Sequence, residues 1–186
     1  NFLDLNNGLI KKHFFRKGAM FFLNDKYFYY GLKHTRPVRE YINYMDFIKI
    51  VQSSKNEWII NKLELCTPIF SYVVKNTFFY KGDIILSKIN GETLDLILKK
   101  KESFYLEEQL GLCFKFLFNN GIYNFDMNLK NIIFNYESNK ISFIDFDKVM
   151  INTAKRNLKL YSSRVISKFR DSLIKHDLLE SFDWKK

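Results

Sequence analysis

Residues 123–148 read Tyr123-Asn124-Phe125-Asp126-Met127-Asn128-Leu129-Lys130-Asn131-Ile132-Ile133-Phe134 and, past a turn, Ile141-Ser142-Phe143-Ile144-Asp145-Phe146-Asp147-Lys148. Just before them, Leu106, Leu110, Cys113, Phe114 and Leu117 recur at helical spacing, and Asn120-Gly121 closes that helix with a residue able to turn left-handed. The order is therefore a helix over Leu106 to Asn119, a loop bearing Asp126, a strand from Asn131 to Asn135, a turn at Glu137 to Asn139, and a strand from Ile141 to Ile144. Asn131 follows Asp126 by five residues and Asp145 follows Asn131 by fourteen, the length of a tight hairpin, which returns Asp145 beside Asn131. Both strands are apolar enough to be buried, which would seat the three polar side chains on a rigid base.

That trio suits phosphoryl transfer. A loop aspartate such as Asp126 can orient an attacking hydroxyl and accept its proton. Asn131 offers Mg²⁺ a neutral oxygen, and Asp145 a carboxylate that can bridge the metal to phosphates, which is how kinases arrange these groups. The Asp-x-x-x-x-Asn spacing alone also fits a turn or helix cap; the whole succession of helix, loop, strand, turn and strand carries the reading. Asp147 is open between a further metal ligand and a cap of the next segment.

The rest of the composition bounds this reading. At 186 residues with 47% hydrophobic content, the chain suits one domain, or one compact body with two lobes, and is shorter than protein kinases usually are. No apolar run approaches the roughly 20 residues that span a bilayer; Thr67 to Val74 is among the best and is short. The N-terminus lacks the basic-then-apolar pattern of a signal peptide, and residue 1 is Asn, so a missing upstream segment is expected. Cys66 and Cys113 read as buried thiols in a reducing cytoplasm. The net charge of +10 would suit nucleic acid, an anionic membrane surface or an acidic substrate. A bias toward Lys, Asn, Ile, Phe and Tyr of the kind an AT-rich genome imposes accounts for it equally well. Lys also outnumbers Arg, the residue favoured for bidentate phosphate recognition. Basicity permits an anionic partner without identifying one.

Outward from the motif, Asn1 to Leu5 and Leu9 to Phe15 read as a hairpin turned by Asn6-Asn7-Gly8 and ended by Lys17-Gly18. Ala19 to Leu32 has no clear pattern. Thr35 is placed to cap a helix with Pro37 in its first turn, running through Glu40, Tyr41, Tyr44, Phe47 and Ile48. Strands are expected near Ile69 to Lys75 and Thr77 to Ile89, then a short helix from Thr93 to Lys101 and an amphipathic helix over roughly Asn152 to Lys175. The expected class is α+β, with a strand-rich lobe at 1–89, a helix-rich lobe at 90–186 and a boundary at Asn90-Gly91.

These segments resemble the lipopolysaccharide core kinases, and above all the 3-deoxy-D-manno-octulosonic acid (Kdo) kinases, whose pattern is Asp-Leu-Asn-x-x-Asn followed by Asp-Phe-Asp. Tyr27 to Tyr41 is similar to the family's Tyr-x-x-x-Gly-Leu-x-x-Thr-Arg-x-x-Arg-Glu-Phe stretch, and Lys12-His13-Phe14 with Arg16-Lys17-Gly18 to its Arg-His-Tyr-x-Arg-Gly stretch. Asn157-Leu158 and Phe182-Asp183-Trp184 have counterparts near the family's C-terminus. The resemblance implies a compact protein-kinase-like fold and ATP-dependent phosphorylation of a Kdo hydroxyl on the lipid A precursor. The setting it implies is the cytoplasmic face of the inner membrane of a Gram-negative bacterium, with no nucleic acid involved. It assigns Asp126 as catalytic base, Asn131 and Asp145 as Mg²⁺ ligands, Lys12 to the α/β-phosphates and Glu40 as the ion-pair partner of Lys12. Lys11 competes with Lys12, because adjacent strand residues face opposite ways and either could be an exposed strand lysine. A heptose or other core-sugar kinase is the alternative within the class. A non-catalytic protein that binds lipopolysaccharide or membrane is the alternative outside it.

Two departures stand out. Asn124-Phe125 replaces the His-Arg that protein kinases carry before the catalytic Asp, which argues against activation by phosphorylation. No glycine-rich phosphate loop is found; it is expected upstream of Asn1, unless the chain is a relative that has lost it. Lys33, His34, Arg36 and Arg39 could bind a substrate anion or be ordinary surface charges, and the aromatic run Tyr27 to Tyr30 reads as packing. His13, His34 and His176 lack metal-ligand spacing. The basic stretch from Lys155 to Lys175 would suit anionic lipid, although a solvated helix face is the commoner case.

Overall fold

The computed structural model describes residues 2–16, 23–100, 106–151, 158–180 and 182. Lys17, Gly18, Lys155, Asn157, Asp183 and Trp184, named above, lie outside them.

The opening hairpin forms as expected. β1 (Phe2–Asp4) pairs antiparallel with β2 (Leu9–His13), Phe2 opposite Lys12, around a turn in which Asn6 and Gly8 both take positive φ. Its second strand ends at His13, short of Phe15. The sheet is organised about β5 (Phe79–Ser87), which pairs with β2 and β3 (Tyr27–Phe28) along one side and with β4 (Pro68–Asn76) along the other. Lys12 stands opposite Ile84, so the pleat turns it to the same face as buried Tyr80, Ile84 and Leu86. Lys11 and His13 therefore face the other way, where Asp83 receives both of them together with the Tyr72 hydroxyl.

Helix α1 (Arg36–Gln52) buries Glu40, Tyr44, Phe47, Ile48 and Val51, which recur at helical spacing, and packs against β4 and β5. Close approach is possible because β5 carries Gly82. A Cβ there would lie 2.5 Å from the Tyr72 carbonyl oxygen and 2.8 Å from Pro37 Cγ. Thr35 is extended just before the helix, as a cap residue should be, but its hydroxyl donates to the Leu32 carbonyl at 2.6 Å and makes no cap hydrogen bond. The short α2 (Glu57–Lys62), unanticipated by the sequence pattern, is capped by Asn56, which accepts from the Ile59 amide.

After β6 (Glu92–Thr93) and α3 (Leu94–Lys99) comes α4 (Leu106–Asn119), with the expected bounds and buried face. β7 (Ile122–Asn124) leads into the motif loop. β8 (Ile132–Asn135) and β9 (Lys140–Phe143) form the expected hairpin, joined at its edge by β6, while β10 (Val149–Ile151) pairs back onto β7. Asn131 closes a 3-10 turn ahead of β8 instead of opening the strand. α5 (Leu158–Lys175) packs Val165, Phe169, Ser172 and Leu173 inward. One hydrophobic core runs from α1 to α5. Phe146 joins its two halves, its ring centroid 4.4 Å from that of Tyr44 and 5.0 Å from that of Phe47. The architecture is α+β, strands dominating its first half and helices its second. Among the described residues no helix is long and apolar enough to cross a membrane.

Candidate functional site

The inner face of β2 points Lys12 at α1 and at Asp145, two residues past the end of β9. Its ammonium meets Glu40 Oε1 and Oε2 at 2.8 and 2.7 Å and Asp145 Oδ1 at 2.8 Å. The rings of Phe2 and Phe14 flank it. Burial pulls the Lys12 ammonium down, but Glu40 and Asp145 outweigh it and hold the pKa above the ordinary lysine value. Glu40 has no exposed surface, and its Oε1 also accepts from the Phe146 amide at 3.3 Å. Burial pushes its carboxyl up to about 7 against the opposing pull of Lys12.

Asp145 turns toward Lys12 by adopting a left-handed backbone, φ 64 and ψ 72. That conformation costs a non-glycine residue about 1 kcal/mol. Two buried side chains hold it. The Asp145 amide donates to the Tyr44 hydroxyl at 3.0 Å, and its carbonyl accepts from Asn124 Nδ2 at 3.3 Å. The same Asn124 accepts the Asp126 amide on its Oδ1 at 2.9 Å, closing an Asx turn. A single amide thus ties the Asp126 loop to the Asp145 backbone.

Asn131 is tied to both. Its carbonyl accepts from the Ile144 amide at 2.9 Å, and its Nδ2 donates to the Asp126 carbonyl at 3.0 Å. The amide nitrogen being so engaged, Oδ1 is the end presented to a cation. With the Asp145 carboxylate, 29% exposed, this makes a pair of hard oxygen donors of the kind Mg²⁺ takes from protein while drawing its other ligands from phosphate and water. Asp126 lies on the open side, its carboxylate 2.9 Å from Lys148 Nζ. Beneath the loop, the Leu129 amide donates to the buried Ser172 hydroxyl of α5.

The structure thus joins Lys12, Glu40, Asp145, Asn131 and Asp126 in one hydrogen-bonded network and sends Lys11 to the far face of the sheet. It corrects the expectation for Asp147. Its buried carboxylate makes no capping bond among the described residues and instead receives Arg36 Nε at 2.8 Å and Arg39 Nη2 at 2.7 Å. Burial pushes this carboxyl up, yet Arg36 and then Arg39 outweigh it and keep it below the usual carboxylate range. Both arginines sit in the first turn of α1, where the helix dipole disfavours cations, so Asp147 compensates them. Neither stands as a free anion receptor. Asn43 adds donations to the Phe146 and Val149 carbonyls. Sequence reasoning missed Asn124, Tyr44 and Lys148. Only Asn124 had a local signal, an Asn two residues ahead of a loop carboxylate.

The model of the lipopolysaccharide kinase (Kdo/WaaP) family matches residues 5–160. No curated protein matches the sequence. Solved structures similar to the chain include monomeric WbdD, at 15% identity and a TM-score of 0.44, covering 86% of this chain and 34% of that one. They also include the Cydia pomonella granulovirus kinase PK-1, at 12% identity and 0.45, covering 78% and 44%. A WbdD complex with the kinase inhibitor LY294002 is 13% identical with a TM-score of 0.45, covering 90% and 36%. The chain therefore spans less than half the length of each of these proteins.

Proposed function

The chain belongs to the lipopolysaccharide kinase (Kdo/WaaP) family, and on that premise we propose that it transfers the γ-phosphoryl group of ATP to a hydroxyl of a Kdo sugar on the lipid A precursor. The observation that carries this reading is the Lys12 ammonium, held by Glu40 and Asp145 in the same hydrogen-bonded network as Asn131 and Asp126.

Each residue then has a task. Glu40 holds the Lys12 ammonium at a fixed depth, from which it contacts the α- and β-phosphates. Asn131 and Asp145 would hold Mg²⁺, which when bound neutralises phosphate charge. Asp126 orients the sugar hydroxyl in line with the γ-phosphorus and takes its proton as the new P–O bond forms and the bond to ADP breaks. In this reading residues 1–89 form the lobe that covers the nucleotide and residues 90–186 the lobe that carries Asp126, Asn131 and Asp145. The side-chain exposure of Asp126, 40%, suits a bulky acceptor approaching from solvent. Because that acceptor is lipid-linked, the protein would work at the cytoplasmic face of the inner membrane.

The test is transfer from labelled ATP, with Mg²⁺, to Kdo-bearing lipid A, by the wild type and by Asp126→Ala. Label in the lipid fraction that disappears in the variant supports the proposal. Absence of transfer to Kdo or any other core sugar, with lipid binding retained, would overturn it in favour of a non-catalytic binding protein.

A further inference from the structure

Asp126 has one ion-pair partner among the described residues, and the scheme above gives that partner no task. Lys148 reaches Asp126 from the 3-10 turn Phe146–Lys148, which follows directly on Asp145. Its backbone is held there by the sheet. The Phe125 amide donates to the Lys148 carbonyl at 3.3 Å, and the next residue, Val149, pairs with Asn124. We propose that Lys148 is a catalytic residue, whose ammonium leaves Asp126 as the acceptor enters and binds the γ-phosphoryl oxygens during transfer. This rests on the phosphotransfer reading and deepens it.

Three observations converge on that role. A carboxylate that orients a hydroxyl for in-line attack stands next to the phosphorus, so a cation in hydrogen-bond contact with it is within reach of the phosphoryl oxygens. Lys12, the cation paired with Asp145, is already engaged by two carboxylates. Charge developing on the acceptor side therefore needs its own donor. Lys148 is 56% exposed and Asp126 40% exposed, and an ion pair so open to water exchanges one partner for another with little penalty. The loop itself offers no substitute at Asn128. Its Oδ1 accepts the Lys130 amide and its Nδ2 donates to the Asp126 carbonyl, so its side chain shapes the turn.

The chemistry balances without any further reagent. The sugar oxygen bonds to the γ-phosphorus, the bond to the leaving oxygen breaks with its electron pair going to ADP, and the hydroxyl proton passes to Asp126. Lys148 keeps its proton throughout.

The experiment uses the full chain as wild type, Lys148→Ala and Lys148→Arg, with two readouts. In the transfer assay, the Ala variant should lose about 10²- to 10³-fold in kcat, the cost of one transition-state donor. Its KM for ATP should stay within about threefold, and Arg should restore most of the rate. In a binding assay with no acceptor, aluminium fluoride, which mimics the planar transferring group, should tighten ADP on the wild type and not on Lys148→Ala, with ADP alone bound equally by both. An Ala variant with wild-type kcat, or one losing ADP affinity and thermal stability in step, overturns the assignment. A wild type inert toward Kdo lipid but tightened by aluminium fluoride counts against the sugar acceptor; Lys148 then stands or falls by loss of the tightening in the variant. A wild type showing neither transfer nor tightening overturns both.

Discussion

Lys12 and Lys148 each pair with one of two aspartates that Asn124 ties together, yet the Lys12 side chain is 8% exposed and gripped by two carboxylates, whereas Lys148 is 56% exposed against one. Their surroundings differ accordingly. The inner pair is walled by Phe2 and Phe14 and backed by the Phe146 amide, and the Lys12 and Glu40 charges are almost wholly withdrawn from solvent. The outer pair opens onto solvent. A buried ion pair is rigid because separating it is costly; an exposed one is mobile because separating it costs little. On the proposed phosphotransfer reading the difference is a division of labour, with a fixed electrostatic frame where the nucleotide would sit and exchangeable groups where the acceptor would enter.

The harshest way to break that contrast is Lys12→Ala. It strands Glu40 as an unpaired buried acid, and denaturant unfolding should show a loss of about 3–5 kcal/mol together with loss of transfer. A loss under about 1 kcal/mol would mean that the inner pair is no frame at all. Asp126→Asn should behave in the opposite way. Transfer should fall about 10²- to 10⁴-fold, while the unfolding free energy stays within about 0.5 kcal/mol of wild type, as for other exposed positions.

Asp147→Asn lies between these extremes, because it removes the charged acceptor of three hydrogen bonds, two from Arg36 and one from Arg39, whose side chains are partly open to water. Urea unfolding should register about 1–3 kcal/mol. The folded carboxyl of Asp147 is depressed below 3.8, so its contribution is present above that value and lost as pH falls through the folded pKa. The gap between wild type and variant should therefore close in strong acid. The last test sharpens the contrast through Glu40, whose shift has the other sign. Raised from 4.5 to about 7, it keeps its proton longer folded than unfolded, so its contribution to stability declines as pH rises across that window. Glu40→Gln should remove this slope in thermal melts between pH 4.5 and 7; an unchanged slope would place its origin elsewhere.

What could be read in advance followed from distance along the chain. α4 was legible to the residue because five apolar positions on one face and an Asn-Gly stop are local signals. Asp126, Asn131 and Asp145 were legible as a group because one loop and one hairpin join them. Lys12 against Lys11 was not, since the two differ only in which face of β2 they occupy. That is settled by Ile84, opposite Lys12 on a strand more than seventy residues away. The Arg36–Asp147 contact spans 111 residues and left no trace in local pattern, so the alternatives open for Asp147 did not include its arginine partners. β7 and β10, three residues each, are too short for periodicity to reveal. Thr35 had the right type and backbone for a cap, but its hydroxyl turned back to Leu32 instead.

Gly82 is the position where these dependencies meet. It lies two residues along β5 from Ile84, which sets Lys12, and it touches Pro37, three residues ahead of Glu40 on α1. The spacing between the two partners of the inner salt bridge is thus gauged across a single bare Cα. A methyl group added there acts as a shim, lifting the helix off the strand. The resulting fault would surface as a Lys12–Glu40 pair drawn apart, in a protein whose Asp126 loop, more than forty residues further on, is unaltered.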